Sequence, residues 1–106
     1  MRVTVEMSLY PLADEALDKI LGFIEALRTD ARLEIVVNQM STQLRGELGV
    51  VLEVLRNAIE RSFGAGGSQA LVVKFLNADL PIGEPPVLEP ARAKAPQSAR
   101  RRVARR

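Results

Sequence analysis

The segment from Arg2 to Tyr10 constrains the fold more than any other part of the chain. Apolar side chains occupy every second position in it: Val3, Val5, Met7 and Leu9. A period of two is typical of a β-strand with one buried face. Pro11 ends the pattern, because proline cannot donate a hydrogen bond to a neighbouring strand. The rest of the chain therefore has to cover one side of a sheet.

Two later segments have apolar residues at helical spacing and can supply that cover. The first begins after Asp14, which is its predicted N-cap, and the second follows two short strands. The apolar positions are Leu17, Ile20, Leu21, Ile24 and Leu27 in the first segment, and Leu48, Leu52, Leu55, Ile59 and Phe63 in the second. Intervals of three and four residues predict two amphipathic helices.

Three further strands are predicted around these helices. A β-branched run covers Arg32 to Met40, a short strand follows from Ser41 to Gly46, and the last strand covers Gln69 to Asn77 after a glycine-rich loop. This order of elements predicts an α+β, ferredoxin-like βαββαβ fold. Right-handed crossovers then place both helices on one face of a four-stranded antiparallel sheet.

Charge and proline content divide the chain into two parts. Residues 1–80 carry eight Lys or Arg and eleven Asp or Glu, whereas residues 81–106 carry seven basic and two acidic residues. The second part also holds five of the six prolines and few large apolar residues, so it cannot offset the entropy of ordering itself. We expect a folded domain over residues 1–80 and a disordered Pro/Arg-rich tail over residues 81–106.

Histidine and cysteine are absent from the chain, so the usual proton-exchanging and nucleophilic groups of enzymes are missing. We expect no catalytic residue, no cofactor and no enzymatic activity. Asp14, Glu15 and Asp18 form a cluster of carboxylates, but acidic residues are common in a first helical turn, and no metal site is predicted. No apolar run is long enough to span a membrane, which predicts a soluble, cytoplasmic protein.

The sheet face away from the helices is predicted to mix apolar and polar groups. Its residues come from three strands: Thr4, Glu6, Ser8 and Tyr10; Val36, Asn38 and Met40; and Val72, Lys74 and Leu76. This face is too apolar to be only solvated and too polar to be a core. We therefore expect a second subunit, a ligand or both to cover it.

Hydroxyl and amide groups are concentrated at one end of that face. Ser41 and Thr42 lie at the junction of the second and third strands, and Ser8 and Tyr10 at the end of the first strand are expected nearby. Together with the Asn38 amide, these groups suit a small polar heterocycle that has both donors and acceptors. The alternative is that the two hydroxyl residues serve the strands and the turn, and that Tyr10 packs against a neighbour.

Two motifs add a family resemblance over about residues 3–77. MSLYPLADEALDKI (Met7–Ile20) and NQMSTQLRGE (Asn38–Glu47) resemble the YkoF-type thiamine/hydroxymethylpyrimidine-binding family and related single-domain thiamine-binding proteins. The resemblance implies non-catalytic binding of thiamine, its hydroxymethylpyrimidine moiety or a phosphorylated form, in thiamine uptake, salvage or sensing. The ligand-binding residues implied by position are Ser8, Tyr10, Asn38, Met40, Ser41 and Thr42.

The same resemblance bears on assembly. In that family, ferredoxin-like units pair through their sheets, and YkoF itself carries two units in tandem. This chain, at 106 residues, is long enough for only one ferredoxin-like unit. The resemblance therefore implies a homodimer or a tetramer that forms through the open sheet face.

Two other functions stay open at this point. The first is an oligomeric regulatory module for another small ligand. The second is weak, non-specific binding of nucleic acid or another polyanion by the basic residues of the tail, Arg100 to Arg106. A sheet that recognises RNA displays two or three aromatic residues, whereas Tyr10 alone is predicted to point outward here and Phe75 is predicted to face the helices.

Overall fold

The strands and helices follow the predicted order in the computed structural model, which describes residues 1–12 and 14–88. The elements are β1 (Arg2–Pro11), α1 (Ala16–Leu27), β2 (Glu34–Val37), β3 (Thr42–Glu47), α2 (Leu48–Gly64) and β4 (Gln69–Leu76). The four strands form one antiparallel sheet in the order β2-β3-β1-β4. The predicted ferredoxin-like α+β fold is confirmed.

Strand β1 is the centre of both the sheet and the core. It pairs with β3 through Arg2–Met7 and with β4 through Thr4–Pro11. The alternating residues of β1 are all buried: Val3, Val5, Met7 and Leu9. They form one cluster with residues from both helices and from β3, including Leu27, Val51 and Leu44. Both helices therefore cover the same side of the sheet, as the alternation predicts.

Helix α1 buries a stripe that matches the predicted one only in part: Leu27 is buried and Ile20 packs against the core as expected. Phe23, Ala26 and Leu27 are buried, whereas Leu17 and Leu21 are exposed. Both stripes have helical spacing, so spacing alone cannot choose between them. The choice depends on how the helix is rotated against the sheet, and that rotation is set by packing between elements.

The start of α1 also differs from the prediction. Glu15, rather than Asp14, occupies the N-cap position, and no side chain caps the helix there. Glu15 has a φ of 63°, in the left-handed region that residues other than glycine adopt infrequently. The predicted capping role of Asp14 is therefore wrong.

Helix α2 lies closer to its predicted position. Leu55 is buried as expected, but Leu52 and Phe63 are exposed. The buried residues of α2 are Val51, Val54, Leu55 and Ala58. Within residues 1–12 and 14–88, neither helix is long and apolar enough to cross a membrane.

The second strand is shorter than the predicted run from Arg32 to Met40. β2 ends at Val37, and the Asn38 N–H donates to the Ser41 carbonyl over 2.8 Å, which closes a turn. Asn38 and Met40 therefore lie in the β2–β3 turn rather than in a strand. β3 begins at Thr42, one residue later than predicted.

Residues 77–84, which we name the C-terminal strap, cross one end of the open sheet face. The Thr4 hydroxyl donates to the Ala78 carbonyl over 2.7 Å and accepts from the Leu80 N–H over 2.9 Å. Thr4 is consequently buried, although the sequence predicts it on an open face. The strap therefore closes the end of the face that contains the beginning of β1.

Ion pairs hold the same strap. Asp79 lies 3.0 Å from the Arg2 guanidinium and 3.8 Å from that of Arg45, which also lies 2.7 Å from Glu34. Arg45 donates to the Leu80 carbonyl as well. These contacts hold the strap up to Leu80, the predicted end of the domain. The remainder of the predicted tail, residues 89–106, lies outside the described residues.

Replacement of Thr4 by valine tests whether its hydroxyl holds the strap. The change keeps the volume but leaves the Ala78 carbonyl and the Leu80 N–H without their partner, which should lower the free energy of unfolding by about 1–3 kcal/mol. Urea unfolding measures this loss, and hydrogen exchange at the Leu80 amide should become faster. Thr42→Val is the control, because Thr42 is equally buried but faces the helices. Unchanged exchange at Leu80 in Thr4→Val would contradict the role of the hydroxyl.

Candidate functional site

The strap leaves the other end of the sheet face accessible. Residues directly opposite each other in the pairing share a face, so Gln43 and Lys74 lie on either side of Glu6, and Val72 lies beside Ser8. We name this surface the uncovered face; its residues are Glu6, Ser8, Tyr10, Val36, Gln43, Val72 and Lys74. It combines a carboxylate, an amine, an amide, two hydroxyls and aliphatic side chains.

Two serine hydroxyls join β1 to the β2–β3 turn. Ser8 Oγ donates to the Met40 carbonyl over 3.1 Å, and Ser41 Oγ donates to Glu6 Oε2 over 3.0 Å. Each hydroxyl oxygen keeps a lone pair that can accept from a ligand. The polar residues of the turn and of β1 therefore lie together, as the sequence predicts for Ser8 and Ser41.

Glu6 is the most strongly held charge on this surface. Its Oε1 lies 2.8 Å from Lys74 Nζ, while Oε2 accepts from Ser41. The hydrogen bond from Lys74, and then the one from Ser41, lower the pKa of Glu6 from its ordinary value. The carboxylate is consequently ionised near neutral pH and presents two acceptor oxygens beside the serines.

The remaining predicted site residues have different positions. Tyr10 follows Ser8 by two residues on the same face of β1 and is half exposed, and Asn38 and Met40 are exposed in the turn. Thr42, in contrast, is buried on the helix side, opposite Met7. Successive residues of a strand point to opposite faces, so the structure separates Thr42 from Ser41 and does not bring it to the uncovered face.

The aromatic residues agree with the predicted sides of the sheet. Phe75 lies opposite Val5 and shares the helix side, as expected. Within the part of the chain that the structure describes, Tyr10 is the aromatic residue of the uncovered face. This display differs from the two or three stacked aromatics of an RNA-binding sheet.

Three cavities of the described residues lie on the helix side. One, of about 360 Å³, is lined by charges of both signs between α1 and α2, including Asp18 and Arg61. Another, of about 450 Å³, also lies against Arg61. The third, of about 440 Å³, is mainly apolar and includes Leu52 and Phe75. None of the three contains a residue of the uncovered face. Among the described residues, no group of three or more acidic side chains could hold a metal ion.

Comparison with known proteins places the fold among solved structures. No protein-family model and no curated protein sequence matches the chain. A protein from Streptococcus pneumoniae is 22% identical with a TM-score of 0.69, and the match covers 76% of this chain and 90% of that one. A domain of unknown function, DUF77, from Bacillus cereus is 26% identical with a TM-score of 0.64, covering 74% and 78% of the two chains.

A third similar structure has a described role. It is a Thermotoga maritima protein provisionally described as a thiamine biosynthesis/salvage protein, which is 15% identical with a TM-score of 0.64. The match covers 90% of this chain and 96% of that one. Together, these structures show that the chain shares its fold with known proteins at low sequence identity. They do not identify the YkoF-type family specifically.

The lowered pKa of Glu6 predicts a pH-dependent contribution to stability. A carboxyl group whose pKa is lowered by folding stabilises the folded state above its ordinary pKa of 4.5, and this stabilisation is lost as the pH falls through the lowered value. The difference in unfolding free energy between wild type and Glu6→Gln should therefore shrink as the pH is reduced from 7 towards 3. Urea unfolding at each pH measures it. A difference that stays constant would contradict the assigned interaction.

Proposed function

We propose that this protein binds thiamine or its hydroxymethylpyrimidine moiety on the uncovered face, without catalysing a reaction. One observation carries the proposal. The Ser8–Met40 and Ser41–Glu6 hydrogen bonds gather two hydroxyls and a carboxylate on one accessible surface, with Tyr10 beside them. We propose Ser8, Tyr10, Asn38, Met40 and Ser41 as ligand-binding residues, together with Glu6.

The chemistry of these groups suits an aminopyrimidine. The exocyclic amine of such a ring donates hydrogen bonds, which the Glu6 carboxylate can accept, and its ring nitrogens accept from hydroxyl or amide donors. The hydroxyls of Ser8 and Ser41 can rotate to serve either role. The Tyr10 ring offers a flat apolar surface for stacking.

Support for thiamine comes from two independent sources. The motifs around Ser8 and around Ser41 resemble a thiamine/hydroxymethylpyrimidine-binding family. A solved structure with the same fold is provisionally described as a thiamine biosynthesis/salvage protein. A shared fold alone does not establish a shared function, so the proposal depends on the uncovered face. We place the protein in thiamine uptake, salvage or sensing in the cytoplasm.

A second subunit completes the proposed site. The uncovered face is a sheet surface without a facing wall in the described chain, and small-molecule sites normally enclose most of the ligand. Val72 and Tyr10 are also half exposed, so a partner would bury apolar area as well. We therefore propose that two chains pair across this face as a homodimer, which can pair again into a tetramer.

Two variants with a new charge, one on the sheet and one on α1, test whether two chains pair through their sheets. The wild-type protein should sediment as a dimer or tetramer at micromolar concentration, and Val72→Glu should shift it towards a monomer by placing a charge in the interface. Leu21→Glu is the control, because Leu21 is 51% exposed on α1 and Val72 is 55% exposed on the sheet. A monomeric wild type, or equal effects of both variants, would show that the sheets do not pair.

Removal of the Ser8 or Ser41 hydroxyl tests whether these groups bind the ligand. Ser8→Ala and Ser41→Ala should each weaken binding of thiamine or hydroxymethylpyrimidine, because an unpaired buried polar group costs about 1–3 kcal/mol, or roughly five- to 150-fold in affinity. Thr42→Val should leave the affinity unchanged, since Thr42 faces the helices. Titration calorimetry measures all three. Unchanged affinity in both serine variants would mean that these hydroxyls serve the sheet alone.

Two variants of Tyr10 distinguish stacking of its ring on the ligand from hydrogen bonding by its hydroxyl. Tyr10→Phe keeps the ring and removes the hydroxyl, so a ligand held by stacking should bind with nearly the wild-type affinity. Tyr10→Ala should weaken binding in either case. Calorimetry with thiamine measures both variants, and wild-type affinity in Tyr10→Ala would exclude Tyr10 from the site.

A further inference from the structure

Lys74 and Glu6 form an ion pair in the middle of the uncovered face. They are directly opposite each other on β4 and β1, so the register of the two strands fixes their proximity. The Lys74 side chain is 76% exposed, whereas that of Glu6 is 38% exposed. In the single chain the amine therefore approaches the carboxylate from the open side of the sheet, and the carboxylate is the more firmly held partner.

The two oxygens of Glu6 have different neighbours. Ser41 donates to Oε2 over 3.0 Å, from the turn that is itself tied to Ser8 through the Met40 carbonyl. Lys74 Nζ lies 2.8 Å from Oε1. An exposed ion pair contributes little to stability because water screens it and the long lysine side chain loses entropy. A ligand can therefore take the place of Lys74 at Oε1 at little cost to the fold.

We propose that Lys74 is an internal competitor for the ligand and that Glu6 is the acceptor for which both compete. This inference rests on the proposed function and defines its ligand class: flat nitrogen heterocycles or amidinium-like groups that carry N–H donors. Such a ligand donates to Oε1 in place of the ammonium group, while Ser41 continues to hold Oε2. A ring without an N–H donor cannot replace Lys74 in this way.

Two exposed basic side chains, each in an ion pair with a glutamate, make a matched test. Lys74→Gln removes the competitor, so thiamine and hydroxymethylpyrimidine should bind about two- to fivefold more tightly, the factor that corresponds to a typical exposed ion pair. Arg56→Gln makes the same change in net charge at a side chain that is 77% exposed and pairs with Glu60 on α2. It should leave the affinity unchanged, so a general charge effect is separated from competition at Glu6.

The same affinity measurements test whether the Glu6 carboxylate is the acceptor. Glu6→Gln keeps the size of the side chain and should reduce the affinity at least about tenfold, because a charged acceptor binds N–H donors more strongly than a neutral amide. Glu60→Gln is its control on α2.

Hydroxymethylpyrimidine in which hydrogen replaces the amino group should bind wild type weakly and gain nothing from Lys74→Gln. Equal or weaker thiamine binding by Lys74→Gln would overturn the inference.

Benzamidine, a flat amidinium with no other relation to thiamine, separates this inference from the proposed function. If wild type binds neither thiamine nor hydroxymethylpyrimidine, the proposed function fails. Tighter binding of benzamidine by Lys74→Gln than by wild type would still support competition at Glu6. Equal benzamidine binding by the two proteins, or none, would then overturn the competition as well.

Discussion

The alternation of β1 is the constraint on which the rest of the structure depends. Its odd-numbered residues, such as Val5 and Met7, form the centre of the core beneath both helices. Its even-numbered residues include Glu6 and Ser8, which lie at the centre of the uncovered face. Because a one-residue slip of a strand exchanges its two faces, burial of the apolar set also fixes where the polar groups lie. The same strand therefore determines both the stability of the fold and the position of the candidate site.

Local patterns in the sequence predict the strands and helices well. The rotation of α1 and the partners across the sheet depend on contacts between elements that are distant in the sequence. The element order and the buried side of β1 follow from periods of two and of three to four residues. Those periods leave the rotation of α1 open: the spacing predicts Leu17 and Leu21 in the core, whereas both are exposed. The alternation places Glu6 and Lys74 on one face, but only the register of β1 against β4 makes them partners. The strand-junction motif predicts Thr42 beside Ser41 in the site, but neighbouring residues of a strand face opposite sides, and Thr42 faces the helices.

Function in this architecture resides in a few side chains on a common scaffold. The solved structures compared above share the fold although they are at most 26% identical to this chain. Glu6, Ser8 and Ser41 owe their proximity to the pairing of β1 with β3 and to the tight β2–β3 turn. A change in the length of that turn would move Ser41 away from Glu6 while leaving the core intact. Sheets of this kind can therefore change their ligands without changing their fold.

The strap has a consequence for the order in which the chain assembles. Its bonds to Thr4 join residues that are 74 and 76 positions apart in the sequence. Pairing of β1 with β4 already places Leu76 opposite Thr4, so the strap closes only a short additional loop, but it has a surface to lie on only after β1, β3 and β4 have paired. We therefore expect the strap to dock after the sheet has formed and to detach before the sheet opens. Detachment would expose Thr4 and Arg45 while the core on the helix side stays packed, so the covered end of the sheet face can open without unfolding of the domain.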